Sequence, residues 1–278
     1  MKKKLLACVA GLAGAASPGF ASTNFSYTAT QTPGTYPDGV DQGSNPVDIW
    51  TLYQVAGTGA GSSGAYEGTS FAGETLSGWQ MYTTPGGAAP ANVAGSIDSF
   101  MTLPGGALTI GQTVSINFEM RAVNPHTTVG VSVLNSISGT AGTPAITFGI
   151  YGGEPDATNT PYTGTGYYYA DASTGGADTG APGTLGYQYQ DEFNISFTVT
   201  GAGTYSAIAT NAAGTDAWTG TYSGSLLGFD VFNHMAGDAS DVAFNNLTVS
   251  TVPEPATLSL VSLGVVMLGH RFPRRARR

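Results

Sequence analysis

Outside the C-terminal tail the chain has two histidines, His126 and His234, and neither has a chemical partner nearby in sequence. His126 follows the turn-forming pair Asn124-Pro125, and His234 lies in Phe232-Asn233-His234-Met235, at a strand end. No serine has glycine at both −2 and +2, so there is no nucleophile elbow. There is no His-Glu-x-x-His, and Cys8 is the single cysteine, so no zinc ligand set is spelled out. Without a local signature each histidine reads as an exposed loop residue. Carboxylates could cleave a glycosidic bond if two flanked it, and a strand's period of two would put acids at i and i+2 on one face. Glu119 is instead alone on its strand, where it reads as a surface ion pair with Arg121, and Asp191-Glu192 are adjacent and face opposite ways. We therefore assign no catalytic residue, and the chain reads as non-enzymatic.

Binding chemistry has more to draw on. Tyr167 and Tyr169, and likewise Tyr187 and Tyr189, are two residues apart, so each pair shares one strand face. An exposed tyrosine pair can stack on sugar rings, and Trp50, Trp79 and Trp218 are further candidates. The alternative is that these aromatics fill a core or pair across strands. For calcium, which favours loop carboxylates and carbonyls, the most compact acid pairs are Asp38 with Asp41 and Asp238 with Asp241. Neither matches an EF-hand loop, so no specific metal ligand is assigned and no other cofactor is implied.

The elements that must position these residues are strands. In Val114-Ser115-Ile116-Asn117-Phe118-Glu119-Met120-Arg121 apolar and polar residues alternate without a slip, as on a half-buried strand. The same period places Val129, Val131 and Val133 on one face, then Ile146, Phe148 and Ile150, then Ile195, Phe197 and Val199. Phe229 with Val231 and Leu247 with Val249 repeat it. Turn signals separate the runs at Pro104-Gly105-Gly106, Asn124-Pro125, Gly201-Ala202-Gly203 and Asn211-Ala212-Ala213-Gly214. Residues 152–186, rich in Gly, Thr, Pro and Asp and interrupted by Tyr167-Tyr168-Tyr169, read as a surface excursion or a functional loop. Many short strands with glycine-rich turns imply an all-β antiparallel β-sandwich over residues 22–252.

Charge is divided sharply along the chain. Of nine Lys plus Arg, all but Arg121 lie at the two ends, while residues 22–252 hold 17 acids, a formal charge of −16. Such a body repels phosphate backbones and anionic head groups, which excludes nucleic acid as a partner. It would gather divalent cations at least diffusely.

The ends read as addresses. Lys2, Lys3 and Lys4 precede the apolar run Leu5–Ala13, and Gly19-Phe20-Ala21 puts small residues at −3 and −1 of a cut after Ala21. Residues 1–21 are thus expected to be a signal peptide, removed by signal peptidase and taking Cys8 with it. At the other end, Val252-Pro253-Glu254-Pro255 leads into an apolar stretch, residues 256–269, followed by Arg271, Arg274, Arg275, Arg277 and Arg278. As a helix, that stretch would span about 21 Å at roughly 1.5 Å per residue. This is short for a bilayer core of about 30 Å, and the arginines would hold its end in the cytoplasm.

Residues 253–278 resemble the PEP-CTERM sorting signal of Gram-negative bacteria that make exopolysaccharide. The resemblance implies that Pro253, Glu254 and Pro255 form the motif read by the transpeptidase exosortase. Residues 256–269 would be a single transmembrane sorting helix and the five arginines its stop. The implied route is secretion, a transient inner-membrane anchor, removal of the tail and arrival at the cell surface.

The later half resembles the laminin-G or concanavalin-A-like jelly roll. The residues that carry this are Asp191–Val199, Gly203-Thr204-Tyr205-Ser206-Ala207 and the closing run Asp241–Val249. That family implies a curved sandwich whose concave face often binds glycans. The jelly-roll glucanases place two or three acids alternately on one strand, a pattern absent here. The expected protein is a non-enzymatic component of the cell surface or exopolysaccharide matrix that binds extracellular polysaccharide. A secreted glycoside hydrolase on the same fold and a purely structural matrix protein are the alternatives.

Overall fold

The computed structural model describes residues 25–27, 34–35, 50–55, 62–68, 78–84, 95–122, 127–139, 141–151, 167–176, 179–180, 185, 191–235 and 240–251. The signal peptide with Ala21, the sorting tail from Pro253 to Arg278, and Tyr187, Tyr189, His126, Asp38, Asp41 and Asp238 lie outside these residues. Every regular element described is a β-strand. The first five are β1 (Phe25–Tyr27), β2 (Gly34–Thr35), β3 (Thr51–Val55), β4 (Ser62–Gly68) and β5 (Gly78–Thr84). Then follow β6 (Ser96–Thr102), β7 (Gln112–Ala122), β8 (Thr127–Ser138), β9 (Ala141–Tyr151), β10 (Tyr167–Ala170) and β11 (Thr179–Gly180). The last are β12 (Asp191–Gly201), β13 (Thr204–Asn211), β14 (Gly214–Thr221), β15 (Gly228–Met235) and β16 (Ser240–Thr251).

These strands make two antiparallel sheets. Sheet A runs β14-β13-β12-β7-β16-β5-β4-β2, with β1 also on β16, and sheet B runs β11-β10-β9-β8-β15-β6-β3. The alternating residues dictate how the sheets face each other. Val114, Ile116 and Phe118 of β7 and Phe193 and Ile195 of β12 turn inward from sheet A, each without exposed surface. Val129, Val131 and Val133 of β8 and Ile146, Phe148 and Ile150 of β9 turn inward from sheet B, equally buried. The all-β sandwich expected from the sequence is thus present.

Aromatic rings fill the core. Phe118 stacks on Phe193 at 5.4 Å, while Trp50 meets Trp79 edge-on at 5.5 Å and Phe244 at 5.1 Å. Trp50 and Trp79 are 1% exposed and Trp218 is 7% exposed, so all three tryptophans are core residues and not sugar platforms. Asn211 closes the β13–β14 turn, its Oδ1 accepting from the amides of Ala213 at 2.9 Å and Gly214 at 3.2 Å.

Two expectations need correction. Glu119 is fully buried in β7, in register with Ala243 of β16 and Glu192 of β12, and so does not lie at the surface where the alternation put it. The segment 152–186 is not only an excursion: it supplies β10, which pairs with β9, and the short β11, which pairs with β10.

Candidate functional site

Inward alternation on sheet B forces a complementary outward set. With Leu52, Ile97, Met101, Val131, Phe148 and Val231 committed to the core, their strand neighbours Tyr53, Asp98, Phe100, Ser132, Thr147, Asp230 and Phe232 must face away from it. These outward residues floor an open groove of about 680 Å³. Cross-strand register aligns them: Tyr53 lies opposite Asp98, Asp98 opposite Phe232, and Asp230 between Phe100 and Ser132. The turn Asp171–Gly176 and Asn135 with Ser223 add to its walls.

The rings of the floor lie close to the sheet because glycines sit beneath them. A Cβ on Gly149 would fall inside the ring of Tyr168, and one on Gly130 would meet both the Phe148 carbonyl and the ring of Phe232. Phe232 also lies 5.0 Å from the His234 ring, centre to centre. Phe100, Phe232 and Tyr168 have little exposed surface yet lie outside the core cluster, forming an apolar layer on the outer face of sheet B. Tyr53 stands more open, at 37% exposure.

Three acids and the histidine supply the charge. His234 is a residue of β15, not of a loop, and its Nε2 lies 2.7 Å from Asp98 Oδ1. Asp171 Oδ1 accepts from the Ser173 amide at 2.7 Å and the Thr174 amide at 3.1 Å, and Oδ2 accepts from the Tyr205 hydroxyl at 2.7 Å. Burial works to raise the Asp171 pKa, but bonds from Ser173, Tyr205 and Thr174 outweigh it and hold the carboxyl below the ordinary value. Burial, and then the charge of Asp171, pushes the Tyr205 phenol upward. Asp230 is the opposite case. Its Oδ1 is buried without a hydrogen-bond partner, and desolvation, followed by repulsion from Asp98, drives its pKa well above the usual carboxylate range. A neutral carboxyl avoids placing an unpaired charge in that layer.

The tyrosine pair singled out by spacing does share one face, and that face is the inner one. Tyr167 is 3% exposed, packs on Phe148 at 5.1 Å and donates its hydroxyl to Asp216 Oδ2 at 2.7 Å. Tyr169 packs on Trp218 at 6.0 Å. Tyr168, between them, is the ring that reaches the groove. The acids weighed for catalysis are elsewhere, since Glu119 and Glu192 belong to strands of sheet A. Asp98, Asp230, Phe100, Phe232 and Tyr53 were not singled out from the sequence. A signal did exist: Phe100 follows Ser99 out of phase with Ile97 and Met101, and Phe232 breaks the alternation set by Phe229 and Val231. An aromatic on the wrong beat of a strand marks an outer apolar layer.

Among the described residues no three His, Cys, Asp or Glu side chains gather as a metal ligand set, and no helix is long and apolar enough to cross a membrane.

No family model and no curated protein matches the chain. Solved structures do. The exoplasmic/lumenal domain of VIP36 in a Ca2+/Man2-bound form aligns at 9% identity and a TM-score of 0.43, covering 85% of this chain and 91% of that one. A protein of unknown function, SO2946 from Shewanella oneidensis MR-1, aligns at 13% identity and 0.36, covering 85% and 90%. Alginate lyase A1-II′, of polysaccharide lyase family-7, aligns at 14% identity and 0.35, covering 73% and 80%. Identities this low transfer no residue roles.

Proposed function

We propose that residues 22–252 form a non-enzymatic, carbohydrate-binding β-sandwich of the concanavalin-A-like jelly-roll kind, with its ligand seat in the groove of sheet B. One observation carries this reading: an open groove of about 680 Å³ that sets the exposed Tyr53 ring among hydrogen-bonding side chains, over an apolar layer of Tyr168 and Phe232. Rings that offer faces and neutral polar groups that offer directional bonds are what a pyranose needs. The crossed strand order, with β7 between β12 and β16 and β8 between β9 and β15, supports the jelly-roll assignment. Binding of the purified chain to a glycan array tests the proposal; an array without a single bound glycan removes it.

The route to the ligand follows from the ends of the chain. Cleavage after Ala21 and exosortase recognition of Pro253-Glu254-Pro255 would deliver the sandwich to the surface or exopolysaccharide matrix of a Gram-negative bacterium. Calcium belongs to the proposal only through the compact acid pairs Asp38 with Asp41 and Asp238 with Asp241. Equal melting temperatures with calcium and with chelator would remove it.

A second reading rests on the same groove. Asp98, Asp230 and His234 place two carboxyls and an imidazole on one face, and Asp230 has the raised pKa expected of a general acid. A glycoside hydrolase would use these residues and not Glu119 or Glu192. Release of reducing ends that vanishes in Asp98→Asn would favour it over simple binding.

A further inference from the structure

The polar groups of the groove restrict which carbohydrate it can accept. A uronate or sulfate ester needs a cation to replace its lost water. Between residues 22 and 252 the chain has one Lys or Arg, Arg121, and it belongs to β7 of sheet A, the other sheet. Among the described residues that line the groove, the single basic side chain is His234, whose Nε2 is directed at Asp98. Anionic sugars would meet carboxylates and no compensating charge.

The carboxyls are the groups a cationic sugar would seek, and the fold already places hydrogen bonds on two of them. Asp98 is engaged by His234 at 2.7 Å. Asp171 spends both oxygens on Ser173, Thr174 and Tyr205. Asp230 Oδ1 is closed off from the groove by burial. The rest of the lining is neutral: the exposed Tyr53 ring and the Asn135, Ser132 and Thr147 side chains. Ser132 and Thr147 already share a 3.0 Å hydroxyl–hydroxyl bond, which leaves lone pairs directed outward.

We infer that the groove selects uncharged polysaccharides, polymers of neutral hexoses or N-acetylhexosamines, over uronate-bearing and sulfated polymers. This rests on the carbohydrate-binding reading above and narrows it to a ligand class.

The test is affinity electrophoresis of the full chain through gels containing a neutral β-glucan, a neutral mannan, alginate, heparin or chitosan, each at low and high salt. Retardation by at least one neutral polymer, unchanged by salt, is expected, with none by alginate or heparin. Tyr53→Ala, an exposed position on edge strand β3, should weaken that retardation about tenfold with an unaltered melting temperature. Retardation by alginate or heparin as strong as by the neutral polymers overturns the inference while leaving a carbohydrate-binding protein. Retardation by chitosan that high salt abolishes is expected from the acidic chain alone, and such retardation with no neutral polymer retarded overturns the inference too. Undiminished binding by Tyr53→Ala places the ligand outside the groove and also overturns it. Retardation by none of the five polymers, with a glycan array equally blank, removes the underlying reading.

Discussion

The Asp230 carboxyl and the Asp171 carboxyl wall the same groove and respond oppositely to it. Asp171 collects donors on both oxygens, which favours its charged form, whereas Asp230 is buried with an orphaned oxygen, which favours its neutral form. The sign of each contribution to stability follows. The raised pKa of Asp230 means the folded chain binds a proton more tightly than the unfolded one. Its stabilising contribution is therefore complete below the ordinary carboxylate value of about 4 and is lost as pH rises through the folded value. The lowered pKa of Asp171 contributes above that ordinary value and is lost as pH falls through the folded one. Asp230→Asn, a neutral isostere, should raise the melting temperature at pH 7 by roughly 2–4 °C and flatten its decline with pH. Asp171→Asn should lower it at pH 7 and leave less to lose in acid. Thermal melts of the three proteins across pH check this, and parallel curves would show that neither carboxyl is shifted by folding.

At the scale of the strand, Gly149 of β9 and Tyr168 of β10 form one unit. They are opposed in register, and the ring lies where a Cβ on Gly149 would be. Gly149→Ala should lift the Tyr168 ring from the sheet and cost about 1–3 kcal/mol of stability, as overpacking does. A denaturant midpoint unchanged by that variant would contradict the close approach. The strands themselves were legible in the sequence: Val114 through Met120, the valines of β8 and the Ile-Phe-Ile of β9 all face where period two puts them. The turns at Gly201-Ala202-Gly203 and Asn211–Gly214 were legible for the same local reason. The groove was not. Asp98 and Asp230 are 132 positions apart in sequence and meet only because β6 pairs with β15. Pairing between distant strands leaves no mark on local periodicity, and a tyrosine pair at i, i+2 fixes a common face without saying which sheet surface it is. Hence Tyr167 and Tyr169 turned inward, and the ring between them turned out.

Over the whole molecule, charge and address belong together. A formal charge of −16 over residues 22–252, with a lone arginine, repels phosphate backbones and suits the proposed polysaccharide environment. The basic residues at the ends, from Lys2 to Lys4 and from Arg271 to Arg278, fit membrane passage. Replacing Pro253-Glu254-Pro255 by alanines should leave the chain in the inner membrane with its tail uncut, as fractionation and mass would show; normal processing of that variant would end the sorting proposal. The central claim is that the outer face of sheet B is where carbohydrate sits. A crystal structure of the chain with a neutral oligosaccharide tests it most directly. A sugar ring against Tyr53 within the groove is the predicted result, and an oligosaccharide bound on sheet A with this groove empty would contradict it.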